Sequence, residues 1–119
     1  MILDGAGPTV VASHLSLLEA FAIEVSITMV LMLSIFVVVR TEPSIVLLAV
    51  WVGVTVGLLA YLTGPATGAS MNPARTFGPN VVFGLLASLL FYVTSTVLGA
   101  WFACDIKRLT FPVNKELQD

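Results

Sequence analysis

The residues that could do chemistry are concentrated in one polar stretch, residues 67–79, with the sequence TGASMNPARTFGP. Asn72 is a good N-cap residue and Pro73 suits the first position of a helix, so the pair predicts a helix start. The dipeptide Gly78-Pro79 predicts the end of that helix after one or two turns. Residues 68–71, just before Asn72, would be extended and offer their carbonyl oxygens in a row.

This pattern combines hydrogen-bond acceptors along a path with donors at one point. The Asn72 amide supplies two N–H donors, and the short helix adds its free N–H groups and positive dipole end. Small neutral molecules such as water would donate to the carbonyls and accept from Asn72, whereas the helix end and Arg75 would oppose cations, including protons. The alternative is an ordinary N-cap on a surface helix, which the long apolar segments on both sides disfavour.

The elements that position this stretch read as membrane helices. The 119 residues are 58% hydrophobic and only 10% charged, whereas soluble domains carry about 25% charged residues. We therefore predict an all-α membrane protein in which residues 1–119 form one unit. After a lead at residues 1–14, it has three transmembrane spans at about 15–39, 45–62 and 81–103, a re-entrant loop with a half-helix at 66–79, and a tail at 105–119. The break after the second span is expected at Thr63-Gly64-Pro65.

The Lys and Arg residues predict an orientation. They fall in the turn after the first span and in the tail, at Arg40, Lys107, Arg108 and Lys115, while the central loop has only Arg75. The positive-inside rule then puts the turn and the C-terminus in the cytoplasm. The N-terminus and residues 63–80 would lie on the outer or lumenal side, in a membrane that the sequence does not specify.

A polar stripe interrupts the first span. Ala20, Glu24 and Thr28 recur every four residues and share one helix face, which must meet protein or water rather than lipid. We expect Glu24 and Thr28 to be a scaffold for the re-entrant loop, with Glu24 accepting backbone N–H bonds. An ion pair of Glu24 with Arg75 and a role in helix packing are the alternatives. In the second span, Gly53 and Gly57 form a GxxxG pattern that suits close helix packing.

Several classes of function are disfavoured. The net charge of -2 gives no nucleic-acid footprint. One histidine, one cysteine and no acid pair or phosphate loop make an enzyme improbable, and we expect no cofactor and no metal site. Cys104 is expected to be a small buried hydrophobic residue.

The residues 68–79, GASMNPARTFGP, resemble the second Asn-Pro-Ala signature of the aquaporin, or major intrinsic protein, family. The first, second and third spans resemble the family's fourth, fifth and sixth, which include a Glu at the place of Glu24, although Thr96 stands where the family usually has Pro. The resemblance covers about residues 15–105. It implies half of the aquaporin fold, because the family has two inverted three-span repeats and only the second is matched.

By this resemblance the outer constriction uses Arg75, Ala60 and Ala69, with a fourth contributor from the first repeat. Ala60 is small where strict water channels often have His, which implies a wider gate. Thr76 stands where the glycerol-conducting branch typically has Asp, and Ala69 replaces a Cys of mercury-sensitive members, so no mercurial block is expected there. The full set of expected pore residues is Ala60, Gly68, Ala69, Ser70, Met71, Asn72, Pro73, Ala74 and Arg75.

The resemblance implies a channel for water and small neutral solutes that needs a complementary repeat to close its pore. That repeat would come from a preceding segment, another chain or a second copy, although the Lys/Arg bias opposes the inverted insertion that a second copy needs. Tetramers are common in the family. The alternatives are a non-conducting truncated or regulatory subunit that packs on a full-length relative, and, less favoured, half of an inverted-repeat transporter.

Overall fold

The computed structural model describes residues 8–110, and within this range the chain forms four helices and no strand. In chain order they are α1 (Leu17–Val39), α2 (Ile45–Thr67), α3 (Pro73–Val82) and α4 (Leu86–Thr110). α1, α2 and α4 are long and apolar enough to cross a membrane, whereas α3 has 10 residues. A helix rises about 1.5 Å per residue, so α3 reaches only about halfway through a hydrocarbon core of about 30 Å. The all-α class with three spans and a half-helix is thus confirmed.

The helix starts follow local capping chemistry. α1 opens with a capping box, in which the Ser16 hydroxyl accepts from the Glu19 N–H and the Glu19 carboxylate accepts from the Ser16 N–H. α2 opens on Ser44, whose hydroxyl accepts from the Leu47 N–H at 3.2 Å. α3 opens on Asn72, whose side-chain oxygen satisfies one of the free N–H groups of the first turn.

α1 lies between α4 and α2, and α3 packs against α4. α1 and α4 approach each other closely at Gly99, where an added Cβ would lie 2.5 Å from the Val25 carbonyl oxygen and 2.9 Å from the Thr28 Cβ. Gly53 and Gly57 behave differently, because apart from the adjacent residues and nearby backbone of α2, no atom of the described residues lies within 4 Å of a Cβ added at either glycine. The GxxxG side of α2 therefore faces outward.

The prolines do not end helices where the sequence analysis expects. α2 continues through Pro65 to Thr67 and ends at Gly68, which is left-handed with φ +80°, so the break expected at residues 63–65 is wrong. α3 likewise runs through Pro79 to Val82. Each proline follows a glycine, which has no Cβ to clash with the proline ring, so the helical backbone is retained at the cost of one hydrogen bond.

The last span is also shifted. It begins at Leu86 rather than near residue 81, because α3 is longer and a turn with Gly84 at φ +72° follows it. It runs to Thr110, so the charged residues expected beyond it lie on its last turns. The Lys107 Nζ lies 4.7 Å from the centroid of the Phe36 ring, and cations are favourable at a helix C-terminus. The remainder of the predicted lead and tail, residues 1–7 and 111–119, lies outside the described residues.

Candidate functional site

The carboxylate of Glu24 holds the loop between α2 and α3. Glu24 is 0% exposed, and its Oε1 accepts from the Thr67 hydroxyl at 2.6 Å. The Ser70 N–H donates to both carboxylate oxygens, at 3.0 and 3.1 Å, and the Met71 N–H donates to Oε2 at 3.4 Å. Hydrogen bonds to a charged group are worth about 1.5–3 kcal/mol each. Three donors from five consecutive residues thus converge on one side chain of α1.

These bonds stabilise an unusual backbone. Gly68, Ala69 and Met71 have φ values of +80°, +45° and +52°. The left-handed region costs a residue with a Cβ about 1–2 kcal/mol, so Ala69 and Met71 need compensating contacts. A further bond fixes the start of the loop, since the Tyr92 hydroxyl donates to the Thr67 carbonyl at 2.6 Å. The loop is therefore bound by side chains from α1 and α4.

The amide of Asn72 is oriented by the half-helix itself. Its Oδ1 accepts from the Ala74 N–H at 2.8 Å, while the residue stays exposed. Since the oxygen is used as the cap, the exposed amide group has its two N–H donors left, and no group within residues 8–110 accepts from them. This is a fixed donor pair at the N-terminus of a helix.

The guanidinium of Arg75 folds back over the loop. Its Nη1 donates to the Gly68 carbonyl at 2.8 Å, and the side chain remains exposed. It therefore does not reach Glu24, and the alternative of an ion pair between them is not seen. Ala69, the residue after Gly68, belongs to an apolar cluster with Ile27, Leu31 and Met71, against which Ala60 packs. Arg75 thus reaches the start of the loop, whereas Ala60 is connected to Ala69 only through the apolar cluster.

The carbonyl oxygens of residues 68–71 agree only in part with the expected row of accessible acceptors. The carbonyl oxygens of Ala69, Ser70 and Met71 accept no hydrogen bond from residues 8–110. However, Ala69 and Ser70 are each only 1% exposed and Met71 is 8% exposed. Among residues 68–72, solvent therefore reaches mainly the two ends, Gly68 and Asn72.

Within residues 8–110, no hydrogen bond joins Thr28 to the loop. Its hydroxyl donates to the Glu24 carbonyl within α1 at 2.8 Å, and its Cβ lies beside Gly99 of α4. Its place is at the contact between α1 and α4, so it supports Glu24 through the helix backbone only.

The sequence does not predict several residues that belong to the site. They lie far apart in the chain and are Thr9, Thr67, Thr76, Asn80 and Tyr92. Thr9, Thr76 and Asn80 are buried and hydrogen-bonded to one another across 67 to 71 residues. A single threonine or asparagine next to an apolar run has no periodic or motif signal, so only the fold reveals their partnership.

The described residues can also be compared with the arrangement that a metal ion needs. No group of three His, Cys, Asp or Glu side chains lies close enough to hold a metal ion among residues 8–110. Cys104 is a free thiol of intermediate burial on α4. At Asn72, Arg75 and the loop backbone, the site offers hydrogen-bond donors, hydrogen-bond acceptors and a positive charge.

Comparison with known proteins places these features in a family. The model described as "Major intrinsic protein" matches residues 2–109. Aquaporin NIP1-2 of Arabidopsis thaliana is 42% identical over 103 residues, which are 86% of this chain and 35% of that protein. Aquaporin-4 of Bos taurus is 33% identical over 121 residues, 98% of this chain and 37% of that protein. The chain thus spans little more than a third of the length of these curated relatives.

Proposed function

Because this chain belongs to the major intrinsic protein family, we propose that it is half of a passive channel for water and small neutral solutes. A complementary first repeat closes the pore, and no chemical step is catalysed. One observation carries the proposal: Asn72 caps α3 with its oxygen and keeps an exposed, oriented amide group. Membership of the family and three apolar helices make the chain an integral membrane protein.

The permeant would meet donors and acceptors in a defined order. A water molecule at the start of α3 accepts from the Asn72 amide, with its own hydrogens directed to carbonyl oxygens. The acceptors supplied by this half are the loop carbonyls of residues 68–71, and those of Ala69, Ser70 and Met71 accept no bond from the described chain. Within this half the three residues are nearly buried, with Ala69 and Ser70 each 1% exposed and Met71 8% exposed. Pro73 and Ala74 complete the first turn that fixes Asn72.

Arg75 is the residue that excludes cations and protons from the pore. Its guanidinium is held at the Gly68 carbonyl by a bond of 2.8 Å, which places a permanent positive charge at the solvent-reached start of the loop. The positive end of α3 adds to this field. Together they oppose cations and protons while neutral molecules pass. Ala60 and Ala69 are small, which leaves room for solutes larger than water.

Orientation follows from the basic residues. Arg40 lies in the turn between α1 and α2, and Lys107 and Arg108 lie on the last turns of α4. The positive-inside rule puts these ends in the cytoplasm, so the loop and Arg75 open on the outer or lumenal side.

Stopped-flow shrinkage of vesicles tests the proposal. Three preparations are compared: empty vesicles, vesicles with this chain alone, and vesicles with this chain plus the first repeat of a full-length relative. We expect shrinkage faster than in empty vesicles only when both halves are inserted. Equal rates with both halves inserted and folded would refute the channel.

Arg75→Val then tests the charge barrier. We expect proton and solute leak to rise relative to water flux, because the positive charge is removed from the loop. Arg108→Val is the matched control, since Arg108 is a cation at the far end of α4 and, within residues 8–110, forms a salt bridge with Asp105 alone, at 3.6 Å. A leak that rises equally in both variants contradicts the assigned role of Arg75.

A second candidate function is favoured by the exposed face of α2 that carries the GxxxG pattern. Gly53 and Gly57 are exposed and open, a surface suited to close packing by another helix. A non-conducting subunit that packs on a full-length relative would use this side. Co-purification with such a relative, a change in its assembly and no added water flux would favour this role over a channel half.

A further inference from the structure

Thr9 of the N-terminal segment (residues 8–16) is clasped by Asn80 of the half-helix. The Thr9 N–H donates to the Asn80 Oδ1 at 3.1 Å, and the Asn80 Nδ2 donates back to the Thr9 carbonyl at 3.3 Å. Both residues are at most 1% exposed. The second Nδ2 hydrogen goes to the Ser88 hydroxyl at 2.9 Å. An amide side chain matches the donor and acceptor of a peptide group, which explains why this pairing needs Asn.

A chain of hydroxyls leads from Thr9 to the channel-lining end of the loop. The Thr9 hydroxyl donates to the Thr76 hydroxyl at 2.9 Å, and the Thr76 and Ser70 hydroxyls lie 2.6 Å apart. The Ser70 hydroxyl donates to the Asn72 carbonyl at 3.1 Å. Each hydroxyl has one hydrogen, so Thr76 donates to Ser70 when Ser70 donates to the Asn72 carbonyl, and the hydroxyls then connect Thr9 to Asn72. The Thr9 hydroxyl also has a second acceptor, the Asn80 Oδ1 at 3.5 Å.

Thr9 also contacts the opposite end of the loop. A Cβ added at Gly68 would lie 3.0 Å from the Thr9 Cα and 3.2 Å from its Cγ2. The Gly68 carbonyl is the acceptor that holds Arg75. Thr9 is thus in contact with the residue that holds the cation and, through hydroxyls, with the residue that supplies the donor pair.

We propose that Asn80 is a positioning residue for permeant selectivity. By clasping Thr9 against the loop, it fixes the distance between the Arg75 charge at Gly68 and the amide of Asn72. This inference rests on the proposed channel function and adds the groups that set its selectivity. Loosening the clasp leaves the pore present but lets its two recognition groups move apart, so discrimination falls more than water flux.

Asn80→Asp is the sharp test, because it keeps the volume and the acceptor for the Thr9 N–H but removes both donors. Thr9→Val is a milder variant that cuts only the hydroxyl chain and keeps the backbone clasp. Ser88→Ala is the matched control, since it removes an Asn80 partner on the side away from Thr9. The first readout is hydrogen exchange of the Ser70 and Met71 amides in the full chain in detergent, which needs no conduction.

We expect the Ser70 and Met71 amides to exchange faster in Asn80→Asp and Thr9→Val than in the unaltered chain. In Ser88→Ala we expect no acceleration. In vesicles with both halves, we expect the ratio of urea or proton permeability to water permeability to rise about tenfold in Asn80→Asp, the factor that corresponds to about one lost hydrogen bond. Ser88→Ala should keep the ratio of the unaltered chain even where its thermal stability falls.

The outcomes separate this inference from the function on which it rests. Conduction with an unaltered permeability ratio in both Asn80→Asp and Thr9→Val overturns the inference, even if exchange rises, because Asn80 would then be a purely structural residue. Unaltered exchange in both variants overturns it as well. If the unaltered chain does not conduct together with the first repeat of the full-length relative, the proposed function is refuted instead. The selectivity role of Asn80 is then refuted as well.

Discussion

Replacing Glu24 by Gln should release the loop between α2 and α3. The carboxylate has two acceptor oxygens for the Thr67 hydroxyl and the Ser70 and Met71 N–H groups. Gln keeps one oxygen and puts an NH₂ group at the other position, where it faces a peptide N–H. One charge-assisted bond is lost, at about 1.5–3 kcal/mol, and one buried N–H is left unpaired, at about 1–3 kcal/mol. The loop conformation should therefore be destabilised by about 2.5–6 kcal/mol.

Hydrogen exchange in detergent measures this effect directly. Local opening governs exchange at such sites, and every 1.4 kcal/mol is about a factor of ten, so exchange at Ser70 and Met71 should accelerate on the order of 100- to 10,000-fold. Amides in the middle of α4 report whether the fold as a whole is intact. Glu19→Gln is the matched control, because Gln also serves at the third position of a capping box.

Two results would refute this reasoning about Glu24. One is unchanged exchange at Ser70 and Met71 in Glu24→Gln, which would mean that the carboxylate does not stabilise the loop. The other is equal acceleration in Glu19→Gln, which would attribute the effect to the loss of an acid from α1 rather than to the bonds of Glu24.

Two further substitutions test the packing around the loop. Gly99→Ala should lower the thermal stability in detergent by about 1–3 kcal/mol, because the new methyl group would lie 2.5 Å from the Val25 carbonyl oxygen. Gly53→Ala is its control and should be neutral or stabilising by about 0.5–1 kcal/mol, since its surroundings are open. A loss of the same size in both would contradict the contact at Gly99. Tyr92→Phe should cost about 1–2 kcal/mol by removing the 2.6 Å bond to the Thr67 carbonyl; an unchanged midpoint of unfolding would argue against that bond.

Local chemistry explains what the sequence reveals about the fold. Long apolar segments define the three spans, and capping preferences put Asn72 and Pro73 at the start of α3, as the structure has them. The same local rules fail at Pro65 and Pro79, because a proline after glycine is compatible with helical backbone near the end of a helix. Helix ends depend on this balance between one lost bond and continued packing, which single residues do not encode.

The site is less accessible to sequence reasoning because its bonds join distant residues. Glu24 stands out as an acid in an apolar helix, so an interaction with the loop is predictable from burial alone. Thr9 and Asn80 are 71 residues apart, and neither residue type is unusual where it stands. Their pairing depends on how α3 packs against α4 and where the N-terminal segment crosses it, which is tertiary information.

The buried Glu24 also has a consequence for biosynthesis. Its partner Ser70 is 46 residues further along the chain. At a synthesis rate of about 5–20 residues per second, Glu24 is synthesised about 2–9 s before the N–H groups that satisfy its carboxylate exist. During that interval an acid in an apolar span is costly at the bilayer centre, by about 2.5–3.5 kcal/mol on insertion scales for a residue such as Asp. A nascent chain that stops before residue 67 therefore leaves α1 with a carboxylate that has no partner in the loop.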